Sequence, residues 1–332
     1  MSDFRLPPGT TAWVLSDGKI GDEVQCFGLA EALGLDAQRR IVKPRAPWSW
    51  FIPFGPPDPR ELPHKPGSPI APPFPDIVIA SGRRTVSYLR AIKRASQGRC
   101  FTIFVKDPYT GLKSADLICI HEHDSLRGDN VFVSVTPANR LGAAVFAAAR
   151  AAPDLRIAAL PEPRLGLILG GKSGNYDFSQ TDADRLAAIA GRHAREGYSL
   201  MVTPSRRTPE FVTESVETAL VASGKPHFVW RGDGLNPYVQ ILGLADALLV
   251  TADSVNMLGE AVATGKPVLI YEPAKGGHRK MTAYIERLIG LGAARRYGGQ
   301  IETFSYVPIE VTPAMAQEAA RRYIAFRGQA AG

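Results

Sequence analysis

Two successive series of short β-rich runs alternating with helix-forming segments constrain this chain more than any other feature. In the first half, strands are expected at 11–15, 37–42, 76–80, 100–105, 116–120 and 131–133, and helices near 23–33, 83–96 and 138–151. The second half restarts the pattern, with strands at 165–169, 199–203, 227–230, 247–250 and 268–271 and helices near 181–196, 209–222, 237–244, 255–264 and 279–289. Such alternation fits parallel sheets covered by helices, hence an α/β fold. Pro153, Pro161 and Pro163 break regular structure across 152–164, which reads as the linker between two domains. Two α/β domains of similar size imply a cleft between them, the default active-site location.

The composition excludes several classes. No run of eighteen apolar residues is present, so no membrane span is expected. The N-terminal residues lack a hydrophobic signal segment, which predicts a cytoplasmic location. Cys26, Cys100 and Cys119 are widely spaced in apolar surroundings and read as reduced core residues, without a CxxC pair. The net charge of +7 is concentrated: residues 77–106 carry seven Lys/Arg and no acid. On a helix there, Arg83, Arg90 and Arg94 share one face, suited to an anionic substrate or lipid headgroups or simply to solvent.

Residues 44–75 hold twelve of the chain's 27 prolines together with Trp48, Trp50, Phe51 and Phe54. Proline density excludes a helix or central strand over most of that insertion. Aromatic residues flanked by Lys43, Arg45 and Arg60 suit a membrane surface or a lipid-linked acceptor; covering the first domain's own core is the alternative.

Gly166 to Ser173 satisfies the written P-loop pattern, but 167–170 is mostly strand and no helix start follows Ser173, so ATP hydrolysis is not expected. Gly170, Gly171, Lys172 and Ser173 instead read as an open turn whose amides and Lys172 could meet donor phosphates. Asp17, Lys19 and Asp22 follow the first strand, where a carboxylate could serve as general base or as a helix cap. Arg206 and Arg207 lie between a strand and a helix start and suit a diphosphate. Thr208–Pro209 and Thr312–Pro313 read as an N-cap followed by proline at the first helical position. His121 and His123 would share a face of an extended segment, but no third ligand at a telling spacing accompanies them, so polar lining rather than a metal is expected.

The stretch 251–270 carries the most chemistry. A strand end, a polar loop and a helix from Ser254 would aim the helix N-terminus, with Val255, Asn256 and Met257, at a phosphate. Glu260, about one and a half turns on, could accept hydrogen bonds from a ribose diol, or be an ordinary surface Glu.

Segments 15–22, 75–84, 106–108, 122–124, 169–171, 203–208 and 251–267 together resemble the mitochondrial-fission (elongated-mitochondria) family in its bacterial members, whose sequences are similar to family-B (GT-B) glycosyltransferases. The resemblance implies two Rossmann-like domains facing a cleft: an acceptor domain (1–152, with the 44–75 insertion), a nucleotide-sugar domain (165–311), and a terminal helix in 312–332 returning to the first. It implies that Glu260 holds the ribose, that 254–257 and Gly171 lie near the diphosphate, and that no metal or cofactor is needed. A local similarity of 20–22 to heptosyltransferases favours Asp22 over Asp17 as base. Lys19, Arg83, Arg84, Glu122 and His123 are then expected on the acceptor side. Tyr109 after Pro108, and the 135–138 segment, depart from the family pattern. The implied function is transfer of a sugar from a nucleotide-sugar to a glycan or lipid-linked acceptor at the cytoplasmic membrane face, without a nucleic-acid partner. A nucleotide-sugar epimerase and a non-catalytic membrane-associated scaffold are the alternatives.

Overall fold

The computed structural model describes residues 5–174 and 176–330. The first four residues, on which the N-terminal reading partly rests, and Asn175 lie outside the described residues. In chain order the elements are β1 (Ala12–Ser16), α1 (Ile20–Ala32), β2 (Ala37–Ile41), β3 (Ile77–Ser81), α2 (Val86–Ala95), β4 (Phe101–Val105), β5 (Leu117–His121) and β6 (Val131–Ser134). There follow α3 (Ala143–Ala151), α4 (Leu155–Ala158), β7 (Arg164–Leu169), β8 (Tyr176–Asp177), α5 (Gln180–Arg195), β9 (Ser199–Pro204), α6 (Glu210–Ser223), β10 (His227–Val229) and α7 (Tyr238–Leu244). The chain ends with β11 (Ala247–Thr251), α8 (Val255–Val262), β12 (Val268–Tyr271), β13 (Lys275–Gly276), α9 (Arg279–Gly290), β14 (Ala294–Arg296) and α10 (Thr312–Ala330).

Two compact units result: Met1–Arg140 with Val311–Gly332, and Leu141–Glu310. The first carries a parallel sheet ordered β2-β1-β3-β4-β5-β6, the second a parallel sheet ordered β10-β9-β7-β11-β12-β14. Strands buried on both faces need near-continuous apolar runs, and β1, β3, β4 and β5 are buried at every position. Alternate side chains of these strands feed two cores: Val14, Ile79 and Ile103 face α1 and α10, whereas Leu15, Ala80 and Phe104 pack with Tyr88, Leu89 and Ile92 of α2.

The unit boundary departs from the expected linker. The chain leaves the first unit after Arg140, and α3 belongs to the second, packed on α7 where Gly243 lacks a Cβ that would stand 3.3 Å from Ala149 Cβ. The 152–164 stretch is not structureless either: it includes the turn α4, where the Asp154 carboxylate accepts from the Arg156 amide at 2.9 Å and Ile157 is buried. In the first unit Thr312 Oγ1 donates to the Asn139 carbonyl and accepts from the Asn139 amide, both at 3.0 Å. Thr312 therefore starts α10, which packs on α1 through Met315, Ala316 and Ala319. β14, an exposed edge strand with two arginines, escapes the sequence pattern because it is short and charged.

The proline-rich insertion divides its work. Ile70 is fully buried and Phe74 packs on the same core, while the buried Asp58 carboxylate is held by Arg60 at 2.7 Å. Trp50, Phe51 and Phe54 remain outside, 75%, 56% and 70% exposed. A groove of about 500 Å3 beside them is lined by Trp48, Phe54, Leu62, Arg90 and Arg94 among others. Among the described residues no helix is long and apolar enough to cross a membrane. The three cysteines are free and buried, and burial pushes the Cys119 thiol up to about 12.

Tyr323 of α10 is 1% exposed and meets Phe101 edge-on, ring centroids 5.9 Å apart. Replacing so large a buried ring by alanine costs roughly 3–5 kcal/mol. Tyr323→Ala is expected to lower the urea midpoint of the first unit, read by the fluorescence of its buried Trp13. An unchanged midpoint would contradict this account of α10 as part of that core.

Candidate functional site

In open α/β sheets the crevice for ligands opens at the carboxyl ends of the strands where their order reverses. In the first sheet this point lies between β1 and β3, in the second between β7 and β11.

At the first, Asp17 follows β1 and Asp22 sits in the first turn of α1. Gly82 follows β3 at φ 90°, and a Cβ there would stand 3.0 Å from Asp22 Oδ2 and 3.7 Å from Asp17 Oδ1. The two carboxylates therefore converge where glycine leaves room. Lys106 follows β4 and pairs through Nζ with Asp22 Oδ1. Its φ of 85° lies in the left-handed region, strain of a kind that clusters at functional sites. Asp17 is held differently: Oδ2 is buried without a hydrogen-bond partner among the described residues, with Lys19 Nζ at 3.6 Å and Arg84 Nη1 at 4.0 Å. The structure thus brings together Asp17, Lys19, Asp22 and Arg84, and adds Lys106. Arg83 is exposed in a 3-10 turn ahead of α2, which begins only at Val86. Glu122 and His123 follow β5, neighbour to β4; there His121, His123 and Asp124 bring one donor atom each to within 4.8 Å of one another. Asp124 supplies the third donor that the sequence reading lacked, because 121–124 turns rather than continuing extended.

At the second switch point, three loops are locked around Asp253. Its Oδ2 accepts from the Gly171 amide at 2.9 Å and from Arg207 Nη2 at 3.2 Å, and its Oδ1 accepts from Thr251 Oγ1 at 2.7 Å. The Gly170 amide donates to Thr251 Oγ1 at 2.7 Å. A Cβ on Gly170 would stand 1.9 Å from Asp253 Oδ1, and one on Gly171 2.0 Å from the Arg207 carbonyl. This corrects the open-turn expectation: the Gly170 and Gly171 amides are spent within the protein, and both glycines serve close approach of loops. Arg207 is likewise turned onto Asp253, and its Nη1 donates to the Lys172 carbonyl at 3.0 Å. Thr208 does not cap a helix; its hydroxyl bridges the Leu169 and Gly170 carbonyls, and α6 starts at Glu210. Arg206 is exposed, Lys172 Nζ lies 3.3 Å from Asp177, and the Ser173 amide donates to the Tyr176 carbonyl.

The helix α8 then starts from β11. Ser254 caps it, accepting from the Met257 amide at 3.3 Å, and Val255 and Asn256 occupy its first turn. Glu260 points back toward α7, where Tyr238 Oη donates to its Oε2 at 2.6 Å. Burial pushes the Glu260 carboxyl up to about 7, against the lowering effect of Tyr238. Thr251, Asp253 and Lys106 lie in segments the sequence marks, but their individual roles, and Tyr238 altogether, are not evident from it.

The family model described as mitochondrial fission ELM1 matches residues 20–323. The mitochondrial fission protein ELM1 of Arabidopsis thaliana is 28% identical over 280 residues, covering 76% of this chain and 65% of that protein. An uncharacterized protein of Rickettsia prowazekii is 28% identical over 156 residues, covering 46% and 44%. The chain thus spans less than two thirds of the length of either relative. Among solved structures, the UDP-GlcNAc 2-epimerase of Neisseria meningitidis bound to UDP-GlcNAc matches with TM-score 0.54 and 12% identity over 96% of this chain and 100% of that one. Acinetobacter baumannii MurG matches with TM-score 0.52 and 12% identity over 96% and 95%. At that identity the likeness is one of fold, two Rossmann-like units of GT-B type.

The raised Glu260 value has a sign. The folded state binds a proton that the unfolded chain releases near pH 4.5, so stability falls as pH rises from 4.5 to about 7 and is level above. Glu260→Gln removes that loss. Relative to wild type the variant is expected to gain on the order of 3 kcal/mol between pH 4.5 and pH 8 in urea unfolding. A difference that does not change with pH would contradict the burial of this carboxyl.

Proposed function

Because the chain belongs to the mitochondrial fission ELM1 family and folds as two GT-B-type units, we propose that it transfers a sugar from a nucleotide-sugar to an acceptor, glycan or lipid-linked, at a membrane face. The observation that carries this reading is the pairing of the α8 N-terminus with Glu260 at the second unit's switch point. In this reading the diphosphate sits at the first turn of α8, among Ser254, Val255, Asn256 and Met257, where the helix dipole favours negative charge. Glu260, oriented by Tyr238, accepts from the ribose diol through the oxygen Tyr238 leaves unused. Lys172, Ser173 and the exposed Arg206 flank the departing nucleoside diphosphate.

The acceptor belongs to the first unit. Asp22, or Asp17 with its unpartnered oxygen, takes the proton of the acceptor hydroxyl. The acceptor's hydroxyl oxygen then bonds to the anomeric carbon as the carbon–oxygen bond to the diphosphate breaks, its electron pair leaving with the nucleotide. Lys19, Arg84 and Lys106 supply positive charge beside these carboxylates, and Arg83, Glu122 and His123 lie along the same sheet edge. Exposed Trp50, Phe51 and Phe54 beside Arg90 and Arg94 support a lipid-linked acceptor at a membrane surface.

Isothermal titration with UDP, ADP, GDP and CMP tests the donor site. One of them is expected to bind with a micromolar Kd, weakened at least about tenfold in Glu260→Ala, the loss of about 1.4 kcal/mol or more. Turnover of the cognate nucleotide-sugar without any acceptor would favour an epimerase. Absence of binding to all four would overturn the transferase reading in favour of a scaffold.

A further inference from the structure

We propose that His121, His123 and Asp124 form a binding site for a divalent transition-metal ion of the zinc class. Three residues from one tight turn present two imidazole nitrogens and one carboxylate oxygen within 4.8 Å of one another. Two nitrogens and one oxygen suit zinc, cobalt or nickel; magnesium and calcium prefer sets made of oxygen alone. Metal bonds of roughly 2.0–2.2 Å set tetrahedral donor separations near 3.3 Å, so side-chain rotations that draw the three donors together would close the cluster on an ion. The two rings are stacked, 12° from parallel with centroids 5.1 Å apart, so at least one must turn about its side-chain bonds to bring both ring nitrogens onto a common ion.

The platform is rigid. His121 is the last residue of β5, a strand flanked by β4 and β6, and both His121 and Asp124 are buried while His123 is half-buried. The turn is closed by the Asp124 amide donating to the His121 carbonyl at 2.9 Å and by the Glu122 amide donating to the Ser134 carbonyl at 3.0 Å. Arg127 braces its outside, donating to the Asp124 carbonyl at 2.5 Å and to the Glu122 carbonyl at 3.2 Å. The loop's backbone is ordered mainly by main-chain contacts, with Asp124 Oδ2 also accepting from the His121 amide at 3.5 Å. His121 Nδ1 stands 3.7 Å from Asp124 Oδ2, too long for a hydrogen bond. Three protein ligands leave a fourth position for water or an anionic oxygen, as in open zinc sites. The site does not rest on the transferase reading, since its ligands take no part in the donor site or in proton transfer.

The test titrates zinc, and separately cobalt, into the tag-free, chelator-treated full chain. One equivalent of zinc is expected to bind and to raise the Tm, with cobalt giving visible absorption of four- or five-coordinate intensity. His123→Ala, at a half-buried position, and Asp124→Asn are expected to weaken zinc at least about tenfold, whereas His227→Ala, on β10 of the second unit, leaves it unchanged. Circular dichroism of each variant checks that the fold is kept. Failure of the wild type to bind zinc, or binding by folded His123→Ala as tight as wild type, would overturn the site whatever the nucleotide titrations give.

Discussion

The buried carboxylate of Asp253 decides where the loops of the second unit can go. It lies at the switch point between β7 and β11, where a ligand crevice is expected, and gathers the Gly171 amide, the Thr251 hydroxyl and the Arg207 guanidinium. Burial pushes its carboxyl above the usual carboxylate range, against the pull of Thr251, Gly171 and Arg207. Leaving such a group unpaired would cost several kcal/mol, so the loops after β7, β9 and β11 are held as one piece. Gly170 and Gly171 are glycine because any Cβ there would overlap Asp253 or the Arg207 backbone. Against that fixed floor, α8 starts in a defined direction and carries Glu260 to Tyr238.

The first unit repeats the theme with less complete satisfaction. Gly82 again makes room beside two carboxylates, but Asp17 keeps a buried oxygen with no hydrogen-bond partner among the described residues and Lys106 holds a left-handed backbone. An unsatisfied buried acceptor costs about 1–3 kcal/mol and a strained φ a similar amount. Costs of this kind gather at the strand ends where ligands bind, which is why this edge, rather than the better-satisfied core, is assigned the acceptor chemistry. The cationic groups Lys19, Arg84 and Lys106 all border these carboxylates, so the uneven charge of the sequence has a local use.

Most strands of both sheets were legible because doubly covered parallel strands need unbroken apolar runs. The helices were legible from their spacing and from proline. Short elements were not: β8, β13, β14 and α4 span between two and four residues and carry no periodicity. The unit boundary was misplaced because an Ala-rich helix such as α3 has no sequence mark of which core it joins. Asp253 reads as an ordinary loop residue before a capped helix; its role depends on Gly171, 82 positions away, and on Arg207. Asp124 stands in the same run as the two histidines, but an extended segment would not bring its carboxylate to them, whereas the backbone turns after His121. Glu260 stands out in the sequence as a carboxylate on an apolar helix, but its partner Tyr238 lies on α7 and nothing local announces the pair.

The central claim is the location of the donor at the β7/β11 switch point. A crystal structure of the chain with UDP tests it most directly. The account predicts the diphosphate at the first turn of α8 and the ribose hydroxyls within hydrogen-bond distance of Glu260. Nucleotide bound at any other place in either unit would contradict it.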